Sequence, residues 1–469
     1  MNDKISIIGA GIGGLATAAR LAKDGYKVDV YEKLGECGGR AHMIEDNGFK
    51  FDTGPSFIMM PDFFREIFDY CGQNIHDYLN LEILENNYKI FFSDNDSLTI
   101  HKDNQKTEQE LERIEPGSSK KYREFISETG KIYNAVKPLL YRCFAPHDAL
   151  NPKYWKLISK LHLEKTYWQL AKKFFRTDKL CYAFTFEAMF IGVSPFNTPA
   201  LYSVISYTDH VDKIAHAIGG MYEIPKALEN MAKKFGAKFH YNNEIKSLAE
   251  LDTGKTIINA DYAYAKKEIL KKNIPNYQYS CSVMLFYWGM KQKIPNLDHH
   301  NLFFAKDLNS NLSDIFTGST NSKDFSFYIH VPTVTDPSLA PRDKDLLYIL
   351  VPVANLKTAK TNIKEHEEKI KQKVLKKIKN ISGLDIENLI ETEHKFYPED
   401  FIKRYNILHG ATFGLSHNLM QSAFFRPQNH KKDFKNVYFV GASTQPGGGL
   451  PPVIASSRIV ADMINGINR

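Results

Sequence analysis

Lys4-Ile5-Ser6-Ile7-Ile8 runs directly into Gly9-Ala10-Gly11-Ile12-Gly13-Gly14, and this junction decides the fold. The first five residues are apolar with a β-branched bias, the pattern of a buried parallel strand. The glycines open a helix of small residues through Leu15, Ala18, Ala19 and Leu21, which Asp24-Gly25 ends. A second strand, Lys27–Tyr31, then delivers Glu32. The glycines have separate tasks. Gly9 permits the tight turn, Gly11 lets backbone approach a pyrophosphate, and Gly14 lets helix pack on strand, with Gly13 in the same candidate loop. Phosphates would meet free N–H groups at the helix start, where the dipole favours anions. Glu32 follows Gly14 by 18 positions, the place for a carboxylate on ribose hydroxyls. Strand, loop, helix and acid in this order predict a dinucleotide site.

Downstream stands Lys33-Leu34-Gly35-Glu36-Cys37-Gly38-Gly39-Arg40, then Phe51-Asp52-Thr53-Gly54-Pro55-Ser56. Gly38-Gly39 reads either as an ordinary turn after a strand or as a second backbone approach to the same pyrophosphate. In the second reading Arg40 adds charge and a planar hydrogen-bonding fork.

A chain of 469 residues exceeds what one core usually fills, so two or three units are expected. Hydrophobic content is 43%, and no apolar run approaches the ~18 residues of a spanning helix. The N-terminus enters strand one directly, with no pattern of a secretory signal. Five scattered cysteines, without C-x-x-C spacing, read as reduced cytoplasmic thiols. No metal site is expected, and His299-His300 reads as a surface loop. A net charge of +7 suits an acidic membrane surface better than nucleic acid, since no recognition motif accompanies it.

The nucleotide unit reads as discontinuous: 1–74, 216–275 and 400–469. Its later pieces are a helix through Pro225–Phe235 with strands near 237–241 and 257–261, then the strand Asn436–Val440 with a helix from Val453. The blocks 75–215 and 276–399 would build a substrate unit, with alternating strands at 88–101, 278–288 and 325–352. Within it, 120–200 reads as a helical, membrane-associating region. Residues 151–180 carry eight Lys or Arg against Glu164 and Asp178, interleaved with Trp155, Trp168, Phe174 and Phe175. This stretch is either a pair of helices covering the substrate unit or an interfacial segment set on lipid headgroups.

The run E-K-x-x-x-x-G-G-R resembles that of the glutathione-reductase-like flavoproteins, amine oxidases and carotenoid desaturases among them. The C-terminal Tyr438-Phe439-Val440-Gly441-Ala442-Ser443-Thr444-Gln445-Pro446-Gly447-Gly448-Gly449-Leu450-Pro451 closely resembles the signature of bacterial phytoene and diapophytoene desaturases. Asp52–Ser56, Glu115-Pro116-Gly117-Ser118, Ile191–Pro195, Gly219–Tyr222, Thr335–Pro341 and Phe425-Arg426-Pro427 are similar to that family's further markers, in order. Between Ile245 and Asn259 the chain is shorter than the family pattern, which leaves the adenine contacts open.

The resemblance implies an α/β fold: a discontinuous Rossmann-like FAD-binding domain, an α+β substrate domain and the helical subregion. It implies FAD held by Gly9, Gly11, Gly13, Gly14, Glu32, Lys33, Gly39, Arg40, Gly54, Pro55, Ser56, Gly441, Ala442, Val453 and Ile454. The activity implied is removal of hydrogens from adjacent carbons of a long polyene, phytoene- or diapophytoene-like. Asp336 is the expected acid/base residue, although Asp before Pro is also a turn initiator. Many related oxidases place an Asp where Ala442 stands, so backbone near Ser443, Val453 and Ile454 would hold the ribityl chain. The expected partners are a lipophilic carotenoid, a membrane surface and quinone or oxygen as electron acceptor, with no nucleic acid. The expected place is cytoplasmic, peripheral on the cell membrane. The alternatives are a later-pathway desaturase or isomerase, a flavin amine oxidase, and a non-enzymatic prenyl-binding escort.

Overall fold

The computed structural model describes residues 4–152, 154–155, 159–252, 254–319, 324–431 and 433–467. Strands are numbered in chain order. A five-stranded parallel sheet is built from β1 (Lys4–Ile8), β2 (Lys27–Tyr31), β9 (Lys238–His240), β10 (Lys255–Ile258) and β16 (Val437–Phe439). Its order is β16-β10-β1-β2-β9, so β1 sits at the centre with Ile5 and Ile7 buried. Chain segments far apart in sequence therefore share one sheet. The helix Ile12–Lys23 packs on it between the helices Glu223–Lys234 and Leu450–Ile464. Fully buried Ala16, Ala18 and Ala19 allow that close approach.

The second sheet has seven strands in the order β15-β11-β14-β13-β12-β6-β7. These are β6 (Asn86–Phe91), β7 (Ser97–His101), β11 (Ser282–Met290), β12 (His300–Phe303), β13 (Phe327–His330), β14 (Asp345–Val353) and β15 (Ile390–Phe396). All pairs are antiparallel except β12 with β6. Every residue of β11 is buried, because both faces are covered. Successive side chains alternate between faces. Val283, Leu285 and Tyr287 join one core, whereas Met284, Phe286 and Trp288 join another with the helix Glu367–Ser382. Two antiparallel pairs complete the strands: β3 (Met43–Asp46) with β4 (Phe49–Asp52), and β5 (Leu81–Ile83) with β8 (Ala215–Ala217).

One expectation is corrected. His299 and His300 form no surface loop: both are buried, and His300 opens β12 opposite His330. Among the described residues of 151–180, 152, 154 and 155 are helical, the helix Tyr167–Ala171 follows and a further helix starts at Asp178, with turns between them. The segment's apolar residues do not form one stripe, so they are used individually. Trp168 packs on Tyr182 and Phe196, and Phe175 stacks on Phe184 at 4.6 Å. Trp155 is exposed, while Lys153, Lys156, Leu157 and Ile158 lie outside the described residues. Among the described residues, no helix is long and apolar enough to cross a membrane.

Candidate active site

The carboxyl ends of the parallel strands open into a cavity of about 330 Å³ that continues to the second sheet. At its nucleotide end the Gly9–Gly13 loop turns from β1 into the helix Ile12–Lys23. Gly9 has φ +98, and a Cβ there would meet the Asn259 carbonyl at 2.6 Å. A Cβ on Gly14 would lie 2.1 Å from the Gly9 carbonyl, so the helix can start this close to the strand only without a side chain. Gly14 itself is packing and lies outside the cavity lining. No side chain caps the helix start, and its first N–H groups remain available to an anion.

Gly38 forms a bridge with Gly11 and donates its N–H to the Ala10 carbonyl at 2.8 Å. The second glycine turn thus lies against the first, and Gly38, Gly39, Arg40, Gly54 and Pro55 line the same cavity. Glu32 also lines it. Its carboxylate accepts the Ala10 N–H at 2.8 Å and the Leu34 N–H at 2.9 Å, fastening the loop. Burial pushes this carboxyl above its usual range. Lys33 is at this end, donating to the Lys403 carbonyl and to Asn406 Oδ1. From the C-terminal run Gly441, Ala442, Gly449 and Val453 reach the cavity, where the helix Leu450–Ile464 presents a second start without a side-chain cap.

Sequence reasoning missed three residues here. Asn259, just past β10, donates Nδ2–H to the Gly9 carbonyl at 3.1 Å and stands beside Gly11, Gly13 and Gly441. Asp261 accepts from Ser443 Oγ at 2.9 Å. A carboxylate thus lines the cavity from beyond β10, two residues after Asn259. Arg426 is fully buried and donates to the Thr444, Gln421 and Ala442 carbonyls, holding the C-terminal loop in place. Desolvation lowers its guanidinium to about 10. The available signal was position: polar residues at the carboxyl ends of parallel strands gather at the ligand crevice.

At the other end the lining becomes apolar: Phe190 and Ile191, then Val283 and Leu285 from β11, Tyr348 and Leu350 from β14. Besides Gly14, three predicted site residues are not in the lining. Ser56 lies behind it, buried, accepting from the Tyr328 hydroxyl at 2.9 Å. Ile454 is in the helix core. Asp336 is buried away from the cavity. It accepts the Gly219 N–H at 2.7 Å and the Ser338 N–H at 3.0 Å, with His216 Nε2 at 3.5 Å. Although burial opposes it, the nearby His216 imidazole, Ser338 and the Gly219 N–H hold the carboxyl well below its usual range. Such a carboxylate is a tie between two loops, not a base facing a polyene, so the expected role is revised.

A glycine cradle, two uncapped helix starts and an apolar chamber define a dinucleotide-binding oxidoreductase, and the cradle fits the pyrophosphate of FAD. The family described as NAD(P)-binding Rossmann-like domain matches residues 7–73, and that of flavin containing amine oxidoreductase matches 277–465. A zeta-carotene-forming phytoene desaturase of Myxococcus xanthus is 36% identical, over 98% of this chain and 93% of its own. A 4,4'-diapophytoene desaturase of Staphylococcus haemolyticus is 33% identical over 98% of each. The chain belongs to the carotenoid desaturase family. Among solved structures, a putrescine oxidase superposes with a TM-score of 0.64 at 15% identity, covering 99% of each chain, a likeness of fold.

Proposed function

We propose that the protein removes two hydrogens from adjacent carbons of a long hydrocarbon polyene, phytoene- or diapophytoene-like, and so extends its conjugation. One observation carries this reading: the nucleotide cradle and an apolar chamber are parts of one continuous cavity. Bound FAD supplies the two-electron acceptor. The glycine loops and Glu32 anchor the nucleotide, Asp261 and Ser443 stand at the turn toward the chamber, and the chamber wall aligns the chain. A substrate without charge or hydrogen-bonding groups is held by burial and shape alone, at about 0.8 kcal/mol per CH₂.

The amine oxidase alternative needs a lysine near the flavin. Lys33 is the one lysine in the described lining, and it is engaged at the nucleotide end. An escort protein has no use for so complete a cradle. The reading includes peripheral attachment to the cytoplasmic face of the cell membrane, from which such a substrate would load, with quinone or oxygen as terminal acceptor. Support for attachment comes from exposed Leu150, Trp155, Leu419, Met420 and Phe425, carried on turns that pack around the Phe144–Tyr154–Phe424 cluster. Expression in hosts making either phytoene or diapophytoene tests the activity. Coloured product in one host is expected; colourless extracts from both, with flavin bound, would overturn the reading.

A further inference from the structure

Three histidines, two on strands and one directly before a third, meet in the interior beside Asp336, apart from the cavity. His216 lies in the middle of β8, His299 directly precedes β12, and His330 ends β13. All are buried, and one ring nitrogen from each lies within 4.8 Å of the others. His299 Nε2 and His330 Nε2 lie 2.9 Å apart, within hydrogen-bond distance, so the two rings turn these nitrogens toward each other. Thr335 Oγ1 engages His299 Nδ1 at 2.8 Å, which leaves Nε2 as its inward donor. Neither nitrogen of buried His216 has a hydrogen-bond partner within normal geometry.

Charge points the same way. Asp336 and Asp52 are buried nearby, and among the described residues neither is ion-paired to Lys or Arg. Asp52 spends its oxygens on the Met221 and Tyr222 N–H groups. With Asp336 Oδ2 at 3.5 Å from His216 Nε2, a carboxylate flanks one imidazole, the arrangement that orients metal-ligating histidines. A cation at this point would offset the acids and satisfy the lone pairs together.

We propose that His216, His299 and His330 form a binding site for a divalent late first-row transition ion, with zinc as the probe. Neutral imidazoles suit such ions and do not suit magnesium or calcium. The ion would tie β8, and with it the Gly219-Gly220 turn, to the seven-stranded sheet. No spacing signal marks these ligands, which are separated by 83 and 31 positions.

The test uses the full-length holoenzyme without a polyhistidine tag, stripped with chelator, exposed to zinc and desalted. One tightly held zinc per chain is expected, with a zinc–nitrogen shell at about 2.0–2.1 Å by X-ray absorption. His216→Gln and His330→Gln should each lower retained zinc at least about tenfold. The exposed His147→Ala should not change it. Flavin content, unaltered in the glutamine variants, shows that they remain folded. A wild type that retains no zinc would overturn the site. Zinc without a nitrogen shell, or retained equally in all variants, would overturn it as well.

Discussion

Single atoms decide the nucleotide end. Gly14→Ala would drive a methyl into the Gly9 carbonyl at 2.1 Å, backbone against backbone, at a cost of about 3 kcal/mol or more. Loss of flavin with a lowered apoprotein Tm is expected. Gly11→Ala meets first the far end of the Asn259 side chain at 3.0 Å, which can move. That variant should keep the apoprotein Tm within about 2 °C while losing flavin, because its methyl enters the space of the pyrophosphate. Equal Tm loss in both variants would show that the loop is purely structural. Glu32→Ala leaves the Ala10 and Leu34 N–H groups without their acceptor. At about 1–3 kcal/mol this should weaken FAD binding roughly 10- to 100-fold, read by flavin fluorescence titration. The glycine tasks and Glu32 were legible because backbone geometry restricts which residue types can stand there. Asn259 and Asp261 were not, since their importance comes from β10 ending beside β1, a pairing that no local pattern encodes.

Elements show the same division. The strand Lys4–Ile8, the helix after it and the strand before Gly441 follow from periodicity and glycine punctuation. The 151–180 segment does not, because Trp168, Phe174 and Phe175 are recruited by Tyr182, Phe184 and other distant rings instead of a helical stripe. His299-His300 was misread because a polar pair between Pro295 and Phe303 looks like a loop until β13 and β8 enclose it. Inside the turn Phe186–Ile191, buried Glu187 accepts from Ser206 Oγ at 2.9 Å, and desolvation raises its carboxyl to about 7. A raised folded pKa means stability that is full below about pH 4.5 and lost as pH rises through 7. Glu187→Gln removes that loss. The variant should match wild type near pH 4 and gain stability over it by pH 8, by an amount on the order of 1–3 kcal/mol. Denaturant unfolding at both pH values checks this; a gap that does not grow between pH 4 and pH 8 would mean the Glu187 carboxyl is not raised in the fold.

The molecule as a whole joins two sheets through one cavity, and its exposed apolar turns lie together on the surface. Replacing Trp155, Met420 and Phe425 with Ser should reduce liposome flotation severalfold in low and high salt alike, since burial of apolar surface is not screened. Flavin content should be unchanged. Undiminished flotation would place the membrane face elsewhere. Leu350→Trp should fill the chamber and lower turnover while leaving the FAD ratio intact, because Leu350 lines the apolar end alone.

The central claim is that a polyene in the apolar chamber gives up two electrons to flavin in the adjoining cradle. Its most direct test is a single anaerobic turnover of the holoenzyme mixed with liposomes carrying phytoene or diapophytoene. With one of them, the oxidised-flavin absorbance should bleach in step with the appearance of a longer chromophore, one flavin reduced for each double bond formed. A new chromophore with the flavin left oxidised, or a flavin that neither hydrocarbon bleaches, would contradict it.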